Sequence, residues 1–105
     1  MVKKNVLKLI QKFQAALEEQ HVHIQKIILY GSWASGNAHD DSDIDIVVIS
    51  DSFKEKDYWE RIDLLSNAIY KIFAPIEAVA LTQDEWNNRS SSVCEYAKNG
   101  EVVFS

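Results

Sequence analysis

Apolar residues along the chain recur in two periods, one of about four residues and one that is nearly continuous over short runs. Val6, Ile10, Phe13 and Leu17 follow one another at four, three and four residues, with Lys, Gln and Glu between them. That spacing predicts a helix with one buried face over roughly residues 3–20. Tyr58, Ile62, Leu65, Ile69 and Phe73 repeat the pattern and predict a second long helix over roughly 54–73, stopped by Pro75. Between and after these helices lie short runs rich in β-branched residues. The runs 24–30, 44–49 and 76–81 each read as a strand, the first halted by Gly31. The second is almost wholly apolar after Asp45, which suggests burial on both faces.

The remaining segments read as punctuation. Residues 31–42, GSWASGNAHDDS, hold two of the three glycines and predict a loop with at most a short helical turn. Thr82 and Glu85 match a capping box that opens a short helix, and Ser92 and Glu95 match a second one, opening a last helix that stops near Gly100. Val102, Val103 and Phe104 suggest a small edge strand. A loop between the first two strands suits antiparallel neighbours. A long helix between the second and third suits a parallel crossover. The expectation is an α/β (α+β) fold in which helices cover a small mixed sheet, with 1–105 as a single domain.

Composition narrows the function. With 47% apolar and 26% charged residues the chain is ordinary globular material. The net charge of −5 disfavours a nucleic-acid partner, because affinity for phosphate backbones rests on Lys and Arg. It does not exclude a nucleotide, whose phosphates a divalent cation can carry in. The lone Cys94 permits no internal disulfide and fits a reducing cytoplasm. The basic N-terminal stretch reads as an amphipathic helix rather than a leader, and no run is long enough to span a membrane.

The chemistry concentrates in Ser42-Asp43-Ile44-Asp45. Two aspartates two apart at the start of a strand project from one face. Carboxylates that close repel each other unless a cation lies between them, and Mg²⁺ commonly takes one or two carboxylates plus substrate phosphates. If the first two strands are antiparallel, Gly31 and Ser32 end beside this pair, offering close backbone approach and a hydroxyl to a phosphate. A parallel third strand adds Glu77 at the same edge.

Read together, Gly31, Ser32, Ala34, Gly36, Ser42, Asp43 and Asp45 resemble the G-S-x-A-x-G…S-D-x-D signature of the DNA polymerase beta-type nucleotidyltransferases, and the length and element order resemble the minimal members of that superfamily. The resemblance implies a nucleotidyltransferase fold and transfer of a nucleoside monophosphate, AMP from ATP, to a hydroxyl. It implies Asp43, Asp45 and Glu77 as metal ligands and catalytic carboxylates for Mg²⁺, and Gly31, Ser32 and Ser42 as nucleotide-binding residues. It further implies an antitoxin whose partner is a helical HEPN-type toxin carrying an acceptor tyrosine. Two positions depart from the pattern: Ser35 stands where the family often has Arg, and Glu77 where it usually has Asp. The alternative they keep open is a weakly active or inactive binding module that neutralises its helical partner by contact.

Other residues carry less. His21 and His23 sit at a turn without Cys or clustered acids and read as solvated; His39, next to Asp40 and Asp41 in the loop, either touches a base or phosphate or is an ordinary polar loop residue. Trp33 either stacks on a base, meets a partner or fills the core, Tyr58 and Trp59 either mark an interface or cover surface, and Cys94 reads as packed inside. A dehalogenase-type phosphotransferase places its aspartates after the strand rather than before it, and no Rossmann or P-loop glycine pattern is present.

Overall fold

The computed structural model describes residues 2–105 and runs α1 (Lys3–Glu18), β1 (Lys26–Tyr30), α2 (Ser32–Ser35), β2 (Ile44–Ile49), a 3-10 turn (Asp51–Phe53), α3 (Tyr58–Ile72), β3 (Ile76–Leu81), α4 (Gln83–Asn87), α5 (Val93–Ala97) and β4 (Glu101–Phe104). The four strands form one sheet in the order β3-β2-β1-β4. β1 is antiparallel to both β2 and β4, and β2 is parallel to β3. This is the expected mixed sheet, with β2 central and apolar because it is covered on both sides.

The two faces differ in what covers them. Ile44, Ile46 and Val48 of β2 join Ile27 and Leu29 of β1 under the buried stripe of α1, Val6, Ile10, Phe13 and Leu17, and under Leu65 and Ala68 of α3. The opposite face, through Ile28, Val47, Ile49 and Leu81, packs on Cys94 and Ala97 of α5. Each of the buried Val, Leu, Ile and Phe side chains among these contributes about 1.5–3 kcal/mol by leaving water. The second layer is thin. It extends to Tyr30, which packs half-buried against the same cluster together with Val79, Trp86 and Val93.

Several boundaries differ from expectation for local reasons. α1 stops at Glu18, and the chain turns through His21 at φ +68°. α3 starts at Tyr58, not near 54, because Asp57 and Glu60 form a reciprocal cap: the Glu60 N–H donates to Asp57 Oδ1 (2.8 Å) and the Asp57 N–H to Glu60 Oε1 (3.0 Å). It ends at Ile72, with Phe73 in the left-handed region. The Thr82–Glu85 box forms as expected. The Ser92–Glu95 box does not. Ser92 is itself helical and caps nothing, since Glu95 turns outward to Lys98 (2.9 Å), and α5 ends already at Ala97. Among the described residues no helix is long and apolar enough to cross a membrane.

Arg61 clasps the end of the sheet opposite Asp45. Its guanidinium donates to the Phe53 carbonyl (2.8 Å), to Glu85 Oε1 (2.7 Å) and, at the Nε, to the Lys56 carbonyl (3.0 Å). It also lies 5.9 Å from the Phe53 ring centroid. Burial alone raises the Glu85 carboxyl, but the hydrogen bonds from Arg61 and Thr82 outweigh it and hold the group below the usual glutamate value. A carboxyl lowered on folding stabilises above its unfolded value, near pH 4.3, and that gain is lost as the pH falls through the folded value. Arg61→Met is therefore expected to cost about 2 kcal/mol at neutral pH. It should also flatten the acid limb of stability, both read from urea midpoints between about pH 3 and 7.

Candidate active site

The site is built on one rung of the sheet. Tyr30 of β1 pairs with Asp45 of β2, and Asp45 pairs with Glu77 of β3. Residues paired across a ladder share a face. The three side chains therefore project together on the thinly covered face, Tyr30 and Asp45 half-buried and Glu77 exposed. Asp43, two residues before Asp45, belongs to the same face by the period of two. Backbone pairing thus brings together all three carboxylates expected from the sequence, and Gly31 follows Tyr30 directly.

Gly31 is required by contact as well as by conformation. Its φ is +73°, and a Cβ there would lie 2.3 Å from Asp45 Oδ2. The chain then turns into α2, whose carbonyl at Gly31 accepts from the N–H groups of Ala34 and Ser35 at 3.1 Å each. The first N–H groups of that turn have no carbonyl partner within it. Ser35 Oγ donates back to the Ser32 carbonyl (3.3 Å), so this side chain braces the bend.

The loop beyond is stapled. The Trp33 indole N–H donates to the Ser42 carbonyl (3.1 Å), and the His39 N–H donates to Ser42 Oγ (2.8 Å). Trp33 is only 8% exposed and packs in the larger apolar layer. Of the three roles open to it, it takes core filling, and no face of the indole is free to stack on a base. Ser42, expected at the nucleotide, is engaged within the loop through both its carbonyl and its hydroxyl oxygen.

The electrostatics are those of crowded like charges. Burial pushes the Asp45 carboxyl above its usual value, the bond to Glu77 pulls it back in part, and the charge on Asp43 adds to the rise. Glu77 is pushed up by the charges of Asp43 and Asp45, and it lies within hydrogen-bonding reach of both carboxyls. Burial, then Asp45 and Glu77, push the Tyr30 phenol up in turn. Among the described residues no group of three or more His, Cys, Asp or Glu side chains is arranged to hold a metal ion by itself. An open set of hard oxygen donors, mutually repelling and facing a bend with room for backbone approach, fits a divalent cation whose remaining ligands come from phosphate.

Other candidates fall away from this centre. His21, His23 and His39 are exposed, and Cys94 is buried under the sheet. Tyr58 and Trp59 are exposed and stack edge to face at 5.0 Å, far along the chain from the rung. Tyr30 went unremarked in the sequence reading. The signal for it was available, since antiparallel pairing that brings Gly31 to Asp45 must bring Tyr30 there too.

Known proteins resemble this chain in sequence and in fold. The family model described as Polymerase beta, Nucleotidyltransferase matches residues 11–105. A Methanocaldococcus jannaschii protein, MJ0604, assigned as a protein adenylyltransferase, is 34% identical over 86 residues, which is 81% of this chain and 82% of that one. A crystal structure assigned as a nucleotidyltransferase from Sulfolobus solfataricus superposes with a TM-score of 0.73 at 22% identity, covering 95% of this chain and 80% of its own. A toxin–antitoxin structure with AMP-PNP superposes with a TM-score of 0.64 at 24% identity, covering 90% and 72%.

The crowding has a measurable sign. An acid whose value is raised on folding destabilises progressively as the pH climbs from the unfolded value through the folded one. In metal-free buffer Asp45→Asn is expected to be more stable than the parent at about pH 7, with the gain disappearing by about pH 3. Thermal melts across that range in EDTA check it, and a variant less stable than the parent at neutral pH contradicts the crowding. Gly31→Ala should do the reverse, costing about 1–3 kcal/mol at any pH from strain and the displaced carboxylate.

Proposed function

This chain belongs to the Polymerase beta nucleotidyltransferase family, and from that premise we propose that it transfers AMP from ATP to a hydroxyl of a protein partner. The observation that carries the reading is the set of three carboxylates on adjacent strands facing the Gly31–Ser32 bend. Mg²⁺ held by Asp43, Asp45 and Glu77 would neutralise charge on the triphosphate and on the departing pyrophosphate. The backbone at Gly31 and the Ser32 hydroxyl hold the outer phosphates. Ser42 contributes by keeping the loop closed over that bend. The acceptor oxygen bonds to the α-phosphorus, the bond from that phosphorus to the bridging oxygen breaks, and pyrophosphate leaves. Glu77, on the open side of the rung, receives the hydroxyl proton.

A protein acceptor is supported by the assignment of MJ0604 as a protein adenylyltransferase and by the toxin–antitoxin structures among the fold's neighbours. The acceptor we propose is a tyrosine on a helical HEPN-type toxin, with this chain as the antitoxin. A cytoplasmic setting, where ATP and Mg²⁺ are at hand, belongs to the same proposal. A net charge of −5 disfavours a polynucleotide acceptor. The neutral Ser35, occupied with the Ser32 carbonyl, adds no cation to the phosphate site and favours modest nucleotide affinity. That feature supports the second reading, neutralisation by contact alone.

Incubation of the chain with Mg²⁺, α-labelled ATP and its co-expressed helical partner separates the two. Label is expected on the partner only with Mg²⁺ present, falling at least about 100-fold in Asp43→Asn and in Asp45→Asn. A stable complex that acquires no label from the parent chain replaces transfer with contact.

A further inference from the structure

The sequence places Phe73 at the end of an apolar helical stripe, yet the structure leaves it 90% exposed. It sits at φ +55° just past the end of α3, a position that ordinarily takes glycine. A bulky apolar residue there gains no packing in the core to offset its conformation. Its ring lies 6.1 Å from that of Tyr70, itself 79% exposed. Ile69, Ala74 and Pro75 join the two rings to line a shallow apolar hollow.

This hollow lies on the α3 side of the sheet end whose other face carries the carboxylates. The Pro75 carbonyl accepts from the Ile44 N–H (2.8 Å), which binds the segment to the residue between Asp43 and Asp45. Glu77 lies two residues further on. The Gly31–Ser32 bend occupies the β1 side of the rung, so the β3 side, where β3 is the terminal strand of the sheet, is the direction open to the acceptor. The charge there selects its class. The cation on this part of α3, Lys71, is ion-paired with Glu19, and the neighbouring groups are the three carboxylates. A polyanionic acceptor meets repulsion without a compensating cation, whereas an apolar polypeptide segment meets two exposed rings.

We propose that Tyr70 and Phe73, with Pro75, form the acceptor-reading surface of this site, gripping an apolar side chain next to the hydroxyl of the acceptor polypeptide. The inference rests on the transfer reading, and it assigns to that reaction a specificity surface outside the carboxylate cluster.

The test uses two short peptides, Ac-Ala-Leu-Tyr-Leu-Ala-amide and its counterpart with Ser in place of both Leu, and the variants Phe73→Gly and Tyr70→Ser. Glycine suits the backbone at 73, so folding is preserved while the ring is lost. With Mg²⁺ and a non-hydrolysable ATP analogue bound, the leucine peptide is expected to shift the amide resonances of residues 70–74 in the parent chain. The serine peptide should do so at least about 10-fold more weakly, and Phe73→Gly should abolish the difference, at unchanged affinity for the nucleotide analogue. In labelled-ATP assays the parent should prefer the leucine peptide by a similar factor through KM, and the variants should lose that preference. Shifts confined to other surfaces, no shifts at all, an undiminished preference in Phe73→Gly, or peptide-free concentration-dependent broadening at residues 70–74 that marks self-association would each overturn the proposal. Peptide binding at this surface without any transfer of label upholds the surface and removes the transferase reading.

Discussion

The arrangement of the site depends on main-chain hydrogen bonds holding like charges together. Asp45 and Glu77 are neighbours because β2 and β3 are paired in register, and Asp43 joins them through the period of the strand. Left to solution, three carboxylates separate. Here the apolar remainder of β2, from Ile46 to Ile49 and buried on both faces, supplies the cohesion that repulsion at its first residues would otherwise undo. The repulsion stands where a cation and a triphosphate are proposed to bind, and on that proposal what the metal-free protein loses in stability is available as affinity for them.

The same division explains the uneven covering of the sheet. α1 and α3 pack on the face through Ile44, Ile46 and Val48, while α5 and Trp86 of α4 pack on the other, where Asp45 stays half-buried and Asp43 and Glu77 exposed. A helix laid directly over that rung would bury the carboxylates as well. Arg61 closes the opposite end of the sheet, tying Phe53, Lys56 and Glu85 together.

Much of this was legible in the sequence, and the reasons are particular. β2 and β3 match their expected bounds because Pro75, Asp43 and Thr82 punctuate them sharply. The closeness of Gly31 to Asp45 follows from a connection without a crossover helix, which suits an antiparallel return. The start of α3 was missed because its cap is Asp57 with Glu60, hidden behind a charged stretch that continues the helical period. The expected box at Ser92 failed because a capping pattern in sequence requires a non-helical first residue, and Ser92 is helical. Periodicity also misjudged Phe73. It records which residues would share a helix face, not where the helix stops, and Phe73 lies past the last helical residue at φ +55°, which takes it off the stripe. Trp33 was left open for a related reason, because a short loop gives no period from which to infer the direction of a side chain.

Trp33 also determines how freely the loop beside the site can vary. Its indole N–H meets the carbonyl of Ser42, so the two feet of the segment from Gly36 to Asp41 are joined to each other rather than through the residues between them. The six intervening positions are mostly small or polar, and all six are exposed or half-buried. Chain added or removed there lengthens or shortens an arch whose footings stay fixed. Related chains can thus acquire different brims above the same carboxylates, with the reach of the arch changing independently of the chemistry beneath it.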